Sequence, residues 1–259
     1  MILLLGGTSD SRLIASRLIQ SGRRVLVSQA TDVPLEMGEH PNLETRAGPL
    51  DDRGLEQLIE RREILAIVDA THPYAASIRA MARRVADRKG IPYLSFVRPS
   101  MLDRADPALQ FAPDHAVAAR AAFAHGRPVL LATGTKNLAP YVEQSRHMGL
   151  PLVVRVLDHP DSWKACRRAG IPPENVLLGR GPFSVEENRR HLRAFAIGVL
   201  VTKDSGQAGG TAEKLQAAQA EGCRVVVIQR PAQTIGHFFS EIDSLLQAVA
   251  DHVKGERTE

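Results

Sequence analysis

Short runs of aliphatic and β-branched residues alternate with longer helical patterns from one end of this chain to the other. That alternation leaves few architectures open, because a strand followed by a helix returns the next strand parallel to the last. Candidate strands are Ile2–Leu5, Val25–Ser28, Leu43–Arg46, Leu65–Asp69 and Tyr93–Phe96, then Val129–Ala132, Leu152–Val156, Val176–Leu178, Val199–Val201 and Val225–Ile228. Between them the apolar spacing predicts helices over Ser11–Ser21, Asp51–Arg61, Tyr74–Lys89, Leu138–Met148, Ser162–Ala169, Val185–Phe195 and Thr211–Glu221. An amphipathic helix over Phe238–Val253 closes the chain.

The pattern also repeats itself. Each half opens with a strand running into a glycine/threonine turn, Gly6-Gly7-Thr8 and Thr133-Gly134-Thr135. Each closes on a β-rich run followed by Arg-Pro, Arg98-Pro99 and Arg230-Pro231, with an Asp at a strand end some way before it, Asp69 and Asp204. The fold class expected is therefore α/β: two Rossmann-like doubly wound parallel-sheet domains with an interdomain cleft. The expected organisation is a nucleotide-binding domain over 1–99 and a linker with a short helix, Ala116–Ala124, over 100–127. A second domain over 128–235 and a C-terminal helix and tail over 236–259 complete it.

A chain of 259 residues with 44% hydrophobic and 24% charged residues can bury two modest cores and is not compositionally disordered. The net charge of +4 permits an acidic small molecule, whereas aromatic residues at 4% are too few for the basic, aromatic-laced stripe of a nucleic-acid binder. Cys166 and Cys223 fit no zinc or disulfide spacing, so a reducing compartment and no metal site are expected. The apolar run Met1–Leu5 is too short for a signal-peptide core, and no stretch reaches the length of a membrane span. A soluble cytoplasmic protein is the expectation, with neither membrane nor nucleic acid as partner.

Chemistry concentrates in the loops after strands, which in open α/β sheets face the ligand. Gly6-Gly7-Thr8-Ser9-Asp10-Ser11-Arg12 lies between the first strand and first helix, where glycine lets the backbone approach a phosphate and the helix N-terminus attracts it. It is not a GxGxxG, and the plainer reading is a tight turn. Arg12 reaches either a phosphate or solvent. The second strand ends in Ser28-Gln29-Ala30-Thr31 without the acid that NAD sites place there, which favours a 2′-phosphate and makes Ser28 its candidate contact. Asp32 is the nearest residue that could restore the usual acidic role. Asp69-Ala-Thr71-His72-Pro73-Tyr74 follows the fourth strand and reads as a cofactor or substrate loop.

In the second half, Thr133-Gly134-Thr135-Lys136-Asn137 repeats the strand–turn–helix anion site with an ammonium added, and Lys203-Asp204-Ser205-Gly206 ends another strand. Arg98, Arg155 and Arg230 also fall near strand ends, and several cations suit a ligand with several carboxylates. No P-loop, no Ser/His/Asp or Cys/His pattern and no Tyr-x-x-x-Lys pair is present, which argues against a hydrolase and against the commonest dehydrogenase arrangement.

GGTSDSR, DATHPYA, the RP after the fifth strand, TGTKNL and KDSGxxGG, in that order, resemble the precorrin-6A reductase family of cobalamin biosynthesis, its cobalt-precorrin members included. The resemblance runs from Ile2 to about Pro231. It implies NADPH-dependent reduction of one carbon–carbon double bond of a modified tetrapyrrole, with other enzymes of the corrin pathway as neighbours. It also implies that Gly6, Gly7, Thr8, Ser9 and Arg12 hold the pyrophosphate, that Asp69 to Tyr74 lie beside the nicotinamide, and that TGTKNL and KDSG face the substrate. His72, Tyr74, Lys203 and Asp204 are the candidate proton donors, with water a further one. The chain departs from the pattern at Gly48-Pro49-Leu50, where many relatives carry Gly-Arg-Leu; Arg46 is the residue to which that role could have moved. Another NADP-dependent reductase of a polycarboxylate, or a non-enzymatic Rossmann-type nucleotide sensor, would also use the N-terminal loop. The sensor would not need the cationic second half.

Overall fold

The computed structural model describes residues 1–30, 37–97, 100, 102–206, 209–231 and 237–253. In chain order it begins with β1 (Ile2–Leu5), α1 (Ser9–Gln20), β2 (Val25–Gln29), β3 (Leu43–Ala47), α2 (Asp52–Arg61), β4 (Ala66–Asp69), α3 (Ala76–Lys89) and β5 (Tyr93–Phe96). There follow β6 (Leu109–Ala112), α4 (His115–Phe123), β7 (Val129–Leu131), α5 (Ala139–Met148), β8 (Leu152–Val156), α6 (Pro160–Arg168), β9 (Val176–Leu178), α7 (Val185–Ala194), β10 (Val199–Lys203), α8 (Thr211–Ala220) and β11 (Arg224–Ile228). The chain ends with β12 (His237–Phe239) and α9 (Ile242–His252).

These elements form two compact units, one of residues 1–99 and 231–259, the other of 100–230. The first holds a parallel sheet of order β12-β5-β4-β1-β2-β3, the second one of order β6-β11-β10-β7-β8-β9. Each is a doubly wound sheet in which five strands come from one continuous stretch. The sixth lies at one edge: in the first sheet β12, from beyond Arg230-Pro231, joins β5, and in the second β6, which precedes the other five in the same continuous stretch, joins β11. Strand order reverses between β1 and β4 in one sheet and between β7 and β10 in the other. Ligands of open α/β sheets bind outside the carboxyl ends of strands at such switch points.

Central strands are buried on both faces, which is why they read as unbroken apolar runs. In the first unit Leu4, Val27 and Val68 pack with Ile14 and Leu18 of α1 and Leu245 and Val249 of α9. On the opposite face Leu3, Leu5 and Ile67 meet Leu55 of α2 and Val85 of α3. In the second unit Leu130, Leu200 and Val227 pack with Leu192 of α7 and Ala217 of α8, while α4 lies against β10 and β11.

Three expectations change. The stretch 100–127 is more than a linker: β6 precedes the short helix, and both belong to the second unit. The closing segment belongs to the first unit, and its opening residues, expected as helix, form β12. Its pairing with β5 uses backbone groups that a helix start at Phe238 would have left to solvent. Helix α3 begins at Ala76, two residues later than expected, because the residues before it turn around Asp69. No described helix is long and apolar enough to cross a membrane.

Candidate functional site

The loops after β1 and β4 flank the switch point of the first sheet and are tied to each other. Thr8 caps α1 by accepting from the Ser11 amide (3.3 Å), while its hydroxyl donates to the Ala70 carbonyl (2.9 Å). Ser11, fully buried, accepts from the Thr8 amide (3.1 Å), completing a reciprocal cap. Thr8 and Ser11 thus shape the turn and spend their side chains within it. Gly6 is packed: a Cβ there would lie 3.1 Å from Ser11 and Val27 side-chain atoms. Gly7 is the opposite case, with φ of 109° and nothing within 4 Å of a Cβ position. The turn therefore presents bare backbone to open space at the N-terminus of α1, with exposed Ser9 and Arg12 beside it. Such a surface suits an anion.

At the end of β2, Ser28 pairs in register with Arg46 on β3. The Arg46 guanidinium donates to the Ser28 hydroxyl (2.7 Å) and to the Gly48 carbonyl (3.1 Å). Partial burial lowers the Arg46 pKa, so this cation is incompletely solvated. A guanidinium and a hydroxyl share this strand end, with no acid among the described residues at that end of β2, a pairing whose chemistry suits a phosphoryl group. Asp32 falls outside the described residues.

Asp69 ends β4 with its carboxylate fully buried. One oxygen accepts from the Thr71 amide (2.9 Å) and hydroxyl (2.6 Å); the other accepts from Arg79 Nε (3.0 Å) and the Tyr93 hydroxyl. Burial first, then the Asp69 charge, pushes the Tyr93 hydroxyl pKa far upward, so this phenol stays a donor. Asp69 is consequently a brace of the loop and has no oxygen turned to a ligand. What the loop presents is Thr71, His72 and Tyr74, all half-buried; Pro73 is buried. The Tyr74 amide donates to His72 Nδ1 (3.3 Å), and the two rings lie 5.5 Å apart.

The corresponding loops of the second sheet carry positive charge. Lys203 Nζ donates to the Thr133 carbonyl (3.0 Å), joining the loop after β10 to the loop after β7. Burial, then the Lys136 charge, lowers the Lys203 pKa. Lys136 and Asn137 are exposed, but they lie in a turn ahead of α5, whose first residue is Ala139 and whose cap, Leu138, offers no side-chain bond. The expected combination of ammonium and helix end is therefore looser than in the first sheet. Asp204 and Arg230, nominated separately, are partners: two guanidinium nitrogens meet the two carboxylate oxygens at 2.8 and 2.9 Å, and Nε also reaches the Asp204 carbonyl (3.0 Å). They hold the loop rather than present isolated charges. Ser205 is buried, and a Cβ on Gly209 would fall 2.2 Å from its Cβ, so glycine is required for the loop to fold back on itself. Gly134 and Gly206 adopt positive φ of 83° and 71°. Arg98 lies outside the described residues.

Sequence reasoning placed Arg155 near a strand end but missed its surroundings. Its side chain is buried, donates through Nη1 to Asn188 Oδ1 (2.8 Å) and stacks 4.4 Å from the Phe183 ring centre. Lys214, on the first turn of α8, donates to the Gly209 carbonyl (2.8 Å) and shares a cavity with it. A basic residue at the start of a helix reads as an ordinary surface position, and nothing in the sequence marked it.

The family of precorrin-6x reductases CbiJ/CobK matches residues 1–250. The cobalt-precorrin-6A reductase of Priestia megaterium is 29% identical over 255 residues, covering 98% of this chain and 100% of that protein. The precorrin-6A reductase of Rhodococcus erythropolis is 34% identical over 236 residues, 89% of each. The solved structure of CobK precorrin-6A reductase superposes with a TM-score of 0.78 at 26% identity, covering 97% of this chain and 96% of that one.

Proposed function

The chain belongs to the precorrin-6x reductase family, and from that membership we propose that it reduces one carbon–carbon double bond of precorrin-6A, with or without cobalt, using NADPH. The observation that carries this reading is the placement of its motifs. GGTSDSR and DATHPY follow β1 and β4, and TGTKN and KDSG follow β7 and β10, the strand pairs flanking the two switch points.

The first unit fits a phosphorylated dinucleotide. Gly6, Gly7, Ser9 and the N-terminus of α1 would hold the pyrophosphate, with Arg12 beside it; Thr8 sets the turn. Ser28 and Arg46 would take the 2′-phosphate, which makes the phosphorylated cofactor the better fit. Thr71, His72 and Tyr74 would lie beside the nicotinamide, held there by Asp69. When bound, a reduced nicotinamide supplies a hydride. In the second unit Thr133 to Asn137, Lys203 and Arg155 would hold the carboxylates of the tetrapyrrole. The proton for the neighbouring carbon would come from His72, Tyr74 or Lys203; the lowered pKa of Lys203 Nζ eases its release there. Asp204, occupied by Arg230, is the weakest of the four donors first considered. A reducing, cytoplasmic setting accords with two unbridged cysteines, Cys166 and Cys223.

Anaerobic mixing with NADPH and precorrin-6A, following both chromophores, tests the reading. One NADPH oxidised for each macrocycle reduced is the expected result. An unchanged NADPH absorbance with both the metal-free and cobalt forms would refute it.

A further inference from the structure

A cavity of about 310 Å³ opens in the second unit beyond the ends of β7, β8 and β9, lined among others by Gly134, Arg155, Gly179, Phe183, Gly209 and Lys214. Its floor is charged. Arg155 is only 6% exposed, and its Nη2 has no hydrogen-bond partner among the described residues. Its Nη1 is shared between Asn188 Oδ1 at 2.8 Å and His191 Nδ1 at 3.3 Å, both uncharged partners in the neutral state of the imidazole. No carboxylate lies within ion-pairing distance of it among the described residues. Phe183 covers one side of the guanidinium and fixes its plane.

Lys214 adds a second cation to the same cavity. Its ammonium donates to the Gly209 carbonyl, which leaves two further N–H bonds to place. Burial, then the Arg155 charge, brings its pKa down to about 8, with Glu213 acting in the opposite sense; burial brings Arg155 to about 10. Glu213 and Glu187 act on Lys214 and Arg155 in the opposite sense, yet no carboxylate among the described residues is ion-paired with either cation. Two desolvated cations oppose each other, and such a pair is retained where an anion completes it. The rest of the wall gives the anion's shape. Glycines at 134, 179, 181 and 209 contribute backbone only, while Val156, Pro182 and Phe183 are apolar. A carboxylate on a short aliphatic stem satisfies both parts. The volume sits at the lower limit of small-molecule clefts, about 300 Å³, and admits one such arm but not a macrocycle.

We propose that this cavity, with Arg155 and Lys214 at its floor and Phe183 as its wall, is a subsite that receives one carboxylate side arm of the substrate. The inference rests on the reading above that the substrate is a polycarboxylate tetrapyrrole, and it names the place where one arm is gripped. The arm fixes the rotation of the ring, because a disc held at one rim group can present only part of its edge to the reacting face. Lys214 is thereby a binding and orienting residue.

The test uses the full chain with Lys214→Met and Lys214→Arg, and with Arg155→Met as a third variant if circular dichroism shows it folded. With active wild-type protein, KM for precorrin-6A should rise about tenfold or more in Lys214→Met and recover in Lys214→Arg, with the dissociation constant of NADPH unchanged in both. A KM within twofold of wild type in Lys214→Met would overturn the proposal while leaving the function intact. Should the wild-type protein reduce no precorrin-6A, the functional reading falls and glutarate decides the cavity instead. Saturable amide shifts at Gly134 and Gly209 that vanish in Lys214→Met would sustain an arm-binding subsite; their absence in wild type would overturn it.

Discussion

Asp69→Asn is the sharpest perturbation the first unit offers, because it changes one atom in a fully buried carboxylate that accepts four hydrogen bonds. The asparagine carbonyl can still accept from the Thr71 amide and hydroxyl. Its amide nitrogen then faces Arg79 Nε and the Tyr93 hydroxyl. The phenol can rotate and accept, but the guanidinium cannot, so one donor meets another and Arg79 is left as an unpaired cation. Breaking a buried ion pair from one side costs about 3–5 kcal/mol. The Arg79 side chain keeps 14% exposure and recovers some hydration, so the lower end, about 3 kcal/mol, is expected. At a urea slope of about 1–3 kcal/mol/M the midpoint should fall by roughly 1–3 M. Hydrogen exchange at the β1 and β4 amides reads this unit directly, while fluorescence of the single Trp163 reads the other. Arg79→Met should lose less, and the double variant should recover part of the loss by removing the stranded cation. Unchanged β4 protection in Asp69→Asn, or full additivity in the double variant, would refute the account.

Arg46→Met removes the guanidinium that meets Ser28, and a charge-assisted bond of about 1.5–3 kcal/mol to a 2′-phosphate would be lost. Titration should show the wild-type preference for NADPH over NADH, roughly ten- to a hundredfold, largely erased; a wild type without preference would sink the idea. Gly7→Val should leave a folded protein by circular dichroism that no longer binds NADPH, since the residue occupies φ of 109° against open space; normal binding would reduce the loop to an ordinary turn. Lys136→Met and Lys203→Met should each weaken the tetrapyrrole by about 1.5–3 kcal/mol with NADPH untouched, and a loss confined to NADPH would place the cofactor in the wrong unit. The Lys214 ammonium is charged below about pH 8 and lost above it. Substrate KM should therefore climb as pH rises through that value in wild type and stay flatter in Lys214→Arg, whose guanidinium remains charged; identical profiles would refute the role of its charge.

The strands buried on both faces were legible because burial leaves an apolar signature in the residues themselves: Ile2–Leu5 and Tyr93–Phe96 were read to the residue. The two missed strands sit at sheet edges. Leu109–Ala112 and His237–Phe239 each pair on one side only, are short, and have exposed positions, so nothing in their composition separates them from loop or helix start. Their partners are supplied by distant chain, a tertiary fact that no local pattern carries. The same limit explains why the internal repeat suggested two self-contained halves, when the first sheet takes β12 from beyond Arg230-Pro231 and the second takes β6 from the stretch expected as a linker.

The site residues divide along the same physical line. Loops were legible where the backbone conformation or a close approach demands glycine, as at Gly7 and Gly209 respectively. Side-chain roles were not, because a carboxylate or guanidinium near a strand end has the same sequence appearance whether it faces inward or outward. Asp69 and the Asp204–Arg230 pair turn inward and stiffen the loops that carry other groups. Arg155 is buried too, yet among the described residues it keeps one nitrogen without a partner, and Lys214 stands in the same cavity. Buried polar groups that are satisfied support structure; one that is left unsatisfied, next to space for a ligand, is where function remains to be assigned. By that criterion Asp69 in the first unit and the Asp204–Arg230 pair in the second brace their loops, whereas Arg155 and Lys214 are the buried charges of the second unit still open to an anion of the kind proposed. Two sheets of one topology are thereby given different chemistry through the partners of a few buried ions.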